Sequence, residues 1–210
     1  MPQLRDRRFL LFLSRLHEKK GCDLLFQAFA KTASAAPDLD LVMAGPDQVG
    51  LEAKLRRIAA ENGIASRVHW PGMLSGDIKW GALRACDAFV LPSHQENFGI
   101  SVVEALAAGR PVLISNQVNI WPDIYADGIG LVDDDTSECT IRLLHRWLAL
   151  SPAERGAMAA RAYPSFTHRY SMRGAAIAIN NIFVKAKAYP ESADARSHYE
   201  RHWLSGSWQR

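Results

Sequence analysis

Short apolar runs alternate along the chain with longer stretches in which apolar residues recur every three to four positions. Residues 9–14 read as a buried strand, and residues 21–36 place Leu24, Leu25, Ala28 and Phe29 on one helical stripe that ends at Pro37. A second strand at 39–44 stops at Gly45-Pro46, and a helix at 51–62 has Gly63 where a terminating glycine belongs. A short third strand at 67–70 stops before Pro71-Gly72. A helix at 77–85, a strand at 87–91, a helix at 99–108 closed by Gly109, a strand at 111–115 and a sixth strand at 130–132 complete the alternation. Strands separated by helices of this length predict right-handed βαβ units and an α/β domain with a parallel sheet flanked by helices. After residue 136 the pattern is helical only, with segments at 137–150, 152–161 and 172–188. One domain over 1–188 is therefore expected, followed at 189–210 by a tail or docking helix that carries Tyr199, Trp203 and Trp208.

Composition narrows this picture without redirecting it. With 48% hydrophobic and 22% charged residues over 210 positions, the chain is an ordinary globular sequence with enough length for its own core. A net charge of +3 is too mild to point to nucleic acid, so any anion site has to come from local placement of charge. Cys22, Cys86 and Cys139 are three widely spaced cysteines with no CxxC pair, which argues against both a zinc cage and a disulfide framework and fits a reducing compartment. Apolar runs such as 9–13 are about a quarter of the ~20 residues a membrane span needs. Arg5, Arg7 and Arg8 imitate the start of a signal peptide, but Arg15, Glu18, Lys19 and Lys20 follow in place of a cleavage site. A cytoplasmic protein is expected.

Two loops carry the candidate chemistry. In an open α/β sheet, ligands bind beyond the carboxyl ends of the strands. After the fourth strand, Pro92-Ser93-His94-Gln95-Glu96-Asn97-Phe98-Gly99 leads into a helix whose first N–H groups lack partners and carry roughly half a positive charge. Glycine at its start lets a phosphate approach the backbone. Glu96 and Glu104 bracket this turn, and Glu104 interrupts an otherwise apolar run; paired carboxylates suit a ligand rich in hydroxyls. After the first strand, Arg15 and Lys20 flank a tight turn and supply the charge a diphosphate needs, Arg as a fork and Lys as a point charge. The turns at 43–46 and 70–73, which include Gly45 and Met73, are candidate walls for a nucleobase, although turn chemistry alone also explains them. Gly109 and Pro111 are accounted for by helix termination; His94, two residues before Glu96, is within reach of a bound sugar, but a lone loop histidine, like His17, is more often an incidental position. Asp133-Asp134-Asp135 imitates a DxD metal motif, but acids before a helix fit its dipole and cap, and no metal is expected.

These residues resemble the C-terminal domain of retaining glycosyltransferases of the GT-B fold, often called group 1 or family four. The resemblance rests on Glu96-x7-Glu104 within ENFGISVVEALAAGRPV, on the RLHEKKG turn, and on the strand-end glycines of LVMAG and VHWPG; it covers roughly residues 8–185. It implies a Rossmann-like domain that binds a nucleotide diphosphate sugar. Arg15 and Lys20 would neutralise the diphosphate, and the backbone of Asn97, Phe98, Gly99 and Ile100 would hold phosphate and sugar oxygens. Glu104 would take the ribose hydroxyls and Glu96 the transferred sugar, with Glu96, Arg15 and Lys20 as the catalytic set and no cofactor. Such enzymes carry two domains, and the acceptor-binding one lies outside this resemblance. The chain is therefore expected to be the donor-binding half, completed by an acceptor-domain partner and a lipid-linked or polysaccharide acceptor, with peripheral association at the inner membrane face. The alternatives are an inactive nucleotide-sugar-binding or interaction module and, more remotely, a nucleotide-sugar epimerase or hydrolase.

Overall fold

The computed structural model describes residues 4 and 7–171, and a compact unit closes at Tyr170. The boundary expected at 188, the helix at 172–188 and the tail lie outside the described residues. Six parallel strands form one sheet: β1 (Arg8–Leu13), β2 (Leu39–Ala44), β3 (Val68–Gly72), β4 (Ala88–Leu91), β5 (Val112–Ser115) and β6 (Gly130–Asp133), in the order β3-β2-β1-β4-β5-β6. This bears out the expected Rossmann-like α/β class. The central strands are buried on both faces, which is why their sequences are continuous apolar runs rather than alternations. Asp40 in β2 is the exception at 1% exposure. Burial alone would raise its carboxyl, but hydrogen bonds from Arg7 and His69 outweigh that and hold it below the usual carboxylate range.

Helices α1 (Cys22–Thr32), α2 (Leu51–Glu61), α3 (Gly76–Ala85), α4 (Ile100–Ala107), α5 (Trp121–Ala126), α6 (Ser137–Ala149) and α7 (Pro152–Arg169) cover the sheet. All three cysteines are buried and free, and burial pushes the Cys22 and Cys86 thiols up to about 12. No helix among the described residues is long and apolar enough to cross a membrane.

Three elements differ from the sequence expectation. β3 continues through Pro71 to Gly72 because it is an edge strand, where a missing N–H breaks no ladder, and its register against β2 shifts between Val42 and Ala44. α5 has no counterpart in the sequence reading: six residues that bury only Ile124 are too few to show a helical period. α7 starts with a Ser151–Glu154 capping box and was expected to stop at Arg161, yet it runs through Pro164 to Arg169. An interior proline costs about 3 kcal/mol. Burial of Met158 and Ala162 offsets this, as do bonds made beyond the proline. Arg169 reaches both oxygens of Asp127 at 2.7 Å and Asp123 at 2.8 Å, and the Tyr170 hydroxyl donates to Asp123 at 2.9 Å.

The Arg169 hydrogen bond outweighs partial burial and holds the Asp127 carboxyl at about 2. Because this value is depressed in the folded state, its stabilisation is fully present above the unfolded value of about 4 and is lost as pH falls toward 2. Asp127→Asn is therefore expected to lower the urea midpoint at pH 7 and to show a shallower loss than the parent between about pH 4 and pH 2. Parallel curves for the two proteins across that window would count against this anchor.

Candidate functional site

The strand order reverses between β1 and β4, which pair directly, so the crevice expected to bind ligands opens beyond their carboxyl ends. The loops after these strands meet there. The Lys19 carbonyl accepts from the His94 amide at 2.9 Å and from the Ser93 hydroxyl at 2.8 Å. Ser115 at the end of β5 donates to the Ser93 carbonyl, and the Glu96 amide donates to the Gln117 carbonyl at 3.0 Å. Gly21 sits so close to Pro92 that a Cβ there would lie 2.0 Å from the Pro92 carbonyl oxygen. Gly45, at the end of β2, is equally constrained: a Cβ would lie 1.8 Å from the Ser14 carbonyl oxygen. Its visible contribution is to let the loops after β1 and β2 run in contact.

α4 opens on this crevice. Gly99 adopts φ +69° and gives the helix no side-chain cap. Among the described residues, the N–H groups of Phe98, Gly99, Ile100 and Ser101 have no acceptor, so they and the helix dipole face outward as an anion-binding end. Lys20 forms an ion pair with Glu96, and both side chains are largely enclosed, at 14% and 22% exposure. Glu104, one turn into α4, accepts from Lys79 Nζ of α3 at 2.7 Å. Each carboxylate singled out in the sequence is thus held by a lysine from a different element. Lys79 was not singled out; its signal is its place one turn into the helix that follows the Gly72 turn. Arg15 is exposed and makes no hydrogen bond or ion pair with the described residues, so its guanidinium is free to take a ligand oxygen. Met73 and Ile100 are strongly exposed, and Phe98 meets the Tyr170 ring edge-on at 5.9 Å.

The remaining candidates have local partners. His17 caps the short turn before α1 by accepting from the Lys19 amide, and a cavity of about 300 Å³ lies between His17, Glu18 and the start of α2. His94 Nδ1 lies 2.9 Å from Asp135 Oδ2. The N-cap of α6 is Thr136, whereas the three acids before it are engaged elsewhere: Asp133 by Arg142, Asp134 by Asn116, Asp135 by His94. Asp133, Asp134 and Cys139 bring potential ligand atoms within 4.8 Å of one another, but the Arg142 guanidinium bonds both Asp133 and the Cys139 sulfur and takes the cationic place.

Comparison with known proteins identifies the family and the fold. The family model for glycosyl transferases group 1 matches residues 2–163. A D-inositol 3-phosphate glycosyltransferase of Corynebacterium urealyticum is 29% identical over 89% of this chain and 45% of its own length. One from Mycolicibacterium gilvum is 36% identical over 59% of this chain and 27% of its own length. The chain therefore spans less than half the length of these relatives. Among solved structures, WaaG, a glycosyltransferase involved in lipopolysaccharide biosynthesis, superposes with a TM-score of 0.69 at 25% identity over 79% of this chain and 44% of its own. Anabaena HepE in complex with UDP and glucose superposes at 0.72 over 89% of this chain and 50% of its own; at 18% identity it speaks for the fold alone.

Proposed function

The chain belongs to the family of glycosyl transferases group 1, and from that premise we propose that it is the donor-binding half of a retaining glycosyltransferase that takes a nucleotide diphosphate sugar. The observation that carries this reading is the pair of lysine-held carboxylates, Glu96 and Glu104, flanking the uncapped amide end of α4. The diphosphate lies against the Phe98–Ser101 amides with Lys20 and Arg15 as counter-charges. Glu104 accepts from the ribose hydroxyls and Glu96 from the sugar hydroxyls. The turns at Gly45 and Met73 flank the base.

The transfer breaks the bond between the anomeric carbon and the diphosphate oxygen, and the electron pair leaves with the diphosphate. The acceptor oxygen bonds the same face of that carbon, and its proton passes to the departing phosphate oxygen, so configuration is retained. What this chain contributes is stabilisation of the departing charge. Preorganised donors of this kind are worth on the order of 10²–10³ each in rate. No step of this scheme requires a metal or other cofactor. The acceptor, a lipid-linked sugar or a polysaccharide, is positioned by a partner domain.

The test is calorimetry with UDP, GDP and ADP and with the 2′-deoxy form of whichever binds. Glu104→Gln is expected to weaken the ribonucleotide on the order of tenfold, the worth of charge-assisted hydrogen bonds, and to abolish preference over the deoxy form. Absence of binding by all three nucleotides at millimolar concentration ends this reading.

A further inference from the structure

A second charged cavity lies at the other end of the sheet. It occupies about 360 Å³ between the amino ends of β1, β4 and β5 and the first turns of α7, about 20 Å from the donor crevice by the length of six-residue β1. Its charges are unevenly paired. Arg8 donates to Asp87 at 2.6 Å and to Asp38 at 3.2 Å, and Trp147 Nε1 donates to the same Asp87 oxygen at 3.2 Å. That consumes the carboxylate of the cavity. Arg110 and Arg155 remain, and neither has an acidic partner among the described residues. Arg110 gives one N–H to the Arg84 carbonyl, while its Nε is buried without an acceptor. Arg155 is held over the buried Trp147 ring, 5.7 Å from its centre, and its guanidinium N–H groups are unused.

A guanidinium with no acidic partner gains forked, charge-assisted bonds from an anion. Two fixed cations facing one space match two negative charges. The remaining wall is small and apolar: Pro152 and Gly156 line it, and a Cβ at Gly156 would meet nothing within 4 Å. A glycine inside a helix is unfavourable relative to alanine, and no packing in the described residues requires this one. The space exceeds that of a bare phosphate and leaves room for a short carbon skeleton.

We propose that the cavity between the amino ends of β1, β4 and β5 and α7 binds a phosphomonoester dianion carried on a small polyol, gripped by Arg110 and Arg155. The group can be that of a free sugar or glycerol phosphate or of a phosphomonoester lipid headgroup. The site is separate from the donor crevice, so it is a place for regulation or for seating on an anionic surface rather than for the transferred sugar.

The experiment has two arms. Glycerol 3-phosphate is titrated into the whole chain by calorimetry, and phosphatidylcholine vesicles with and without phosphatidic acid are tested by co-sedimentation. Arg155→Gln, which removes a partly exposed charge and leaves the Arg110–Arg84 bond in place, is expected to lose on the order of tenfold in affinity in whichever arm binds, at an unchanged melting temperature. Lys20→Ala is expected to leave that affinity unchanged. Binding in neither arm at millimolar ligand overturns the proposal. So does binding that Arg155→Gln leaves intact, or binding that Lys20→Ala removes.

Discussion

Lys20→Ala is expected to weaken binding of a nucleoside diphosphate by about 10²-fold. A hydrogen bond to a charged group is worth about 1.5–3 kcal/mol, or roughly ten- to a hundredfold in affinity. The loss falls near the upper end because the lysine has two tasks. It neutralises Glu96, and both side chains are mostly withdrawn from solvent, so the attraction is only weakly screened. Without it, an uncompensated carboxylate faces the incoming diphosphate. The double variant Lys20→Ala/Glu96→Ala separates the two contributions. It is expected to bind UDP several-fold better than Lys20→Ala alone, because the repulsive charge has gone, yet to gain nothing extra from the sugar of UDP-glucose. Calorimetry with the four proteins gives the coupling energy of the pair directly. Unchanged UDP affinity in Lys20→Ala would place the diphosphate elsewhere.

The α/β class and the six strands were legible because each strand is an apolar run bounded by glycine, proline or a polar loop, and because βαβ chirality leaves few ways to order them. The crevice was legible for a related reason. Lys20 and Glu96 are 76 residues apart, but each follows one of two neighbouring parallel strands, so topology alone brings their loops together. What stayed hidden depends on side chains meeting across larger gaps with no local mark. Nothing near Pro164 indicates that Arg169 will bind Asp127, 42 residues away, and carry the helix past it. Lys79 lacks a motif because its role comes from α3 lying beside α4, a packing outcome rather than a spacing. The acids at 133–135 look in the sequence like a cap, whereas Thr136 caps and the acids pair with Arg142, Asn116 and His94. A cap and an ion-pair cluster have the same composition, and the difference is set by which partners fold against them.

Gly21→Ala is expected to cost about 3 kcal/mol of stability, whereas Gly63→Ala costs about 1 kcal/mol, and the difference measures how tightly the two site loops are locked. Both glycines have φ near +67°, a region that costs an L side chain about 1–2 kcal/mol. They differ in their surroundings. A Cβ at Gly63 meets nothing within 4 Å, while one at Gly21 lies 2.0 Å from the Pro92 carbonyl oxygen and 2.7 Å from its carbon. Those atoms belong to the backbone and cannot swing away like a side-chain tip, so overpacking adds about 1–3 kcal/mol. Urea denaturation checks this: the midpoint of Gly21→Ala should fall much further than that of Gly63→Ala, with the slope unchanged in both. The relief of the clash has a direction. Moving the Gly21 turn away from Pro92 draws Lys20 away from Glu96 and strains the bonds from Ser93 and His94 to Lys19. Gly21→Ala should therefore lose nucleotide affinity even where it remains fully folded, and Gly63→Ala should not. Equal destabilisation by the two variants would mean that the loops after β1 and β4 are not locked by this contact, and the preorganisation argued for the crevice would lose its structural cause.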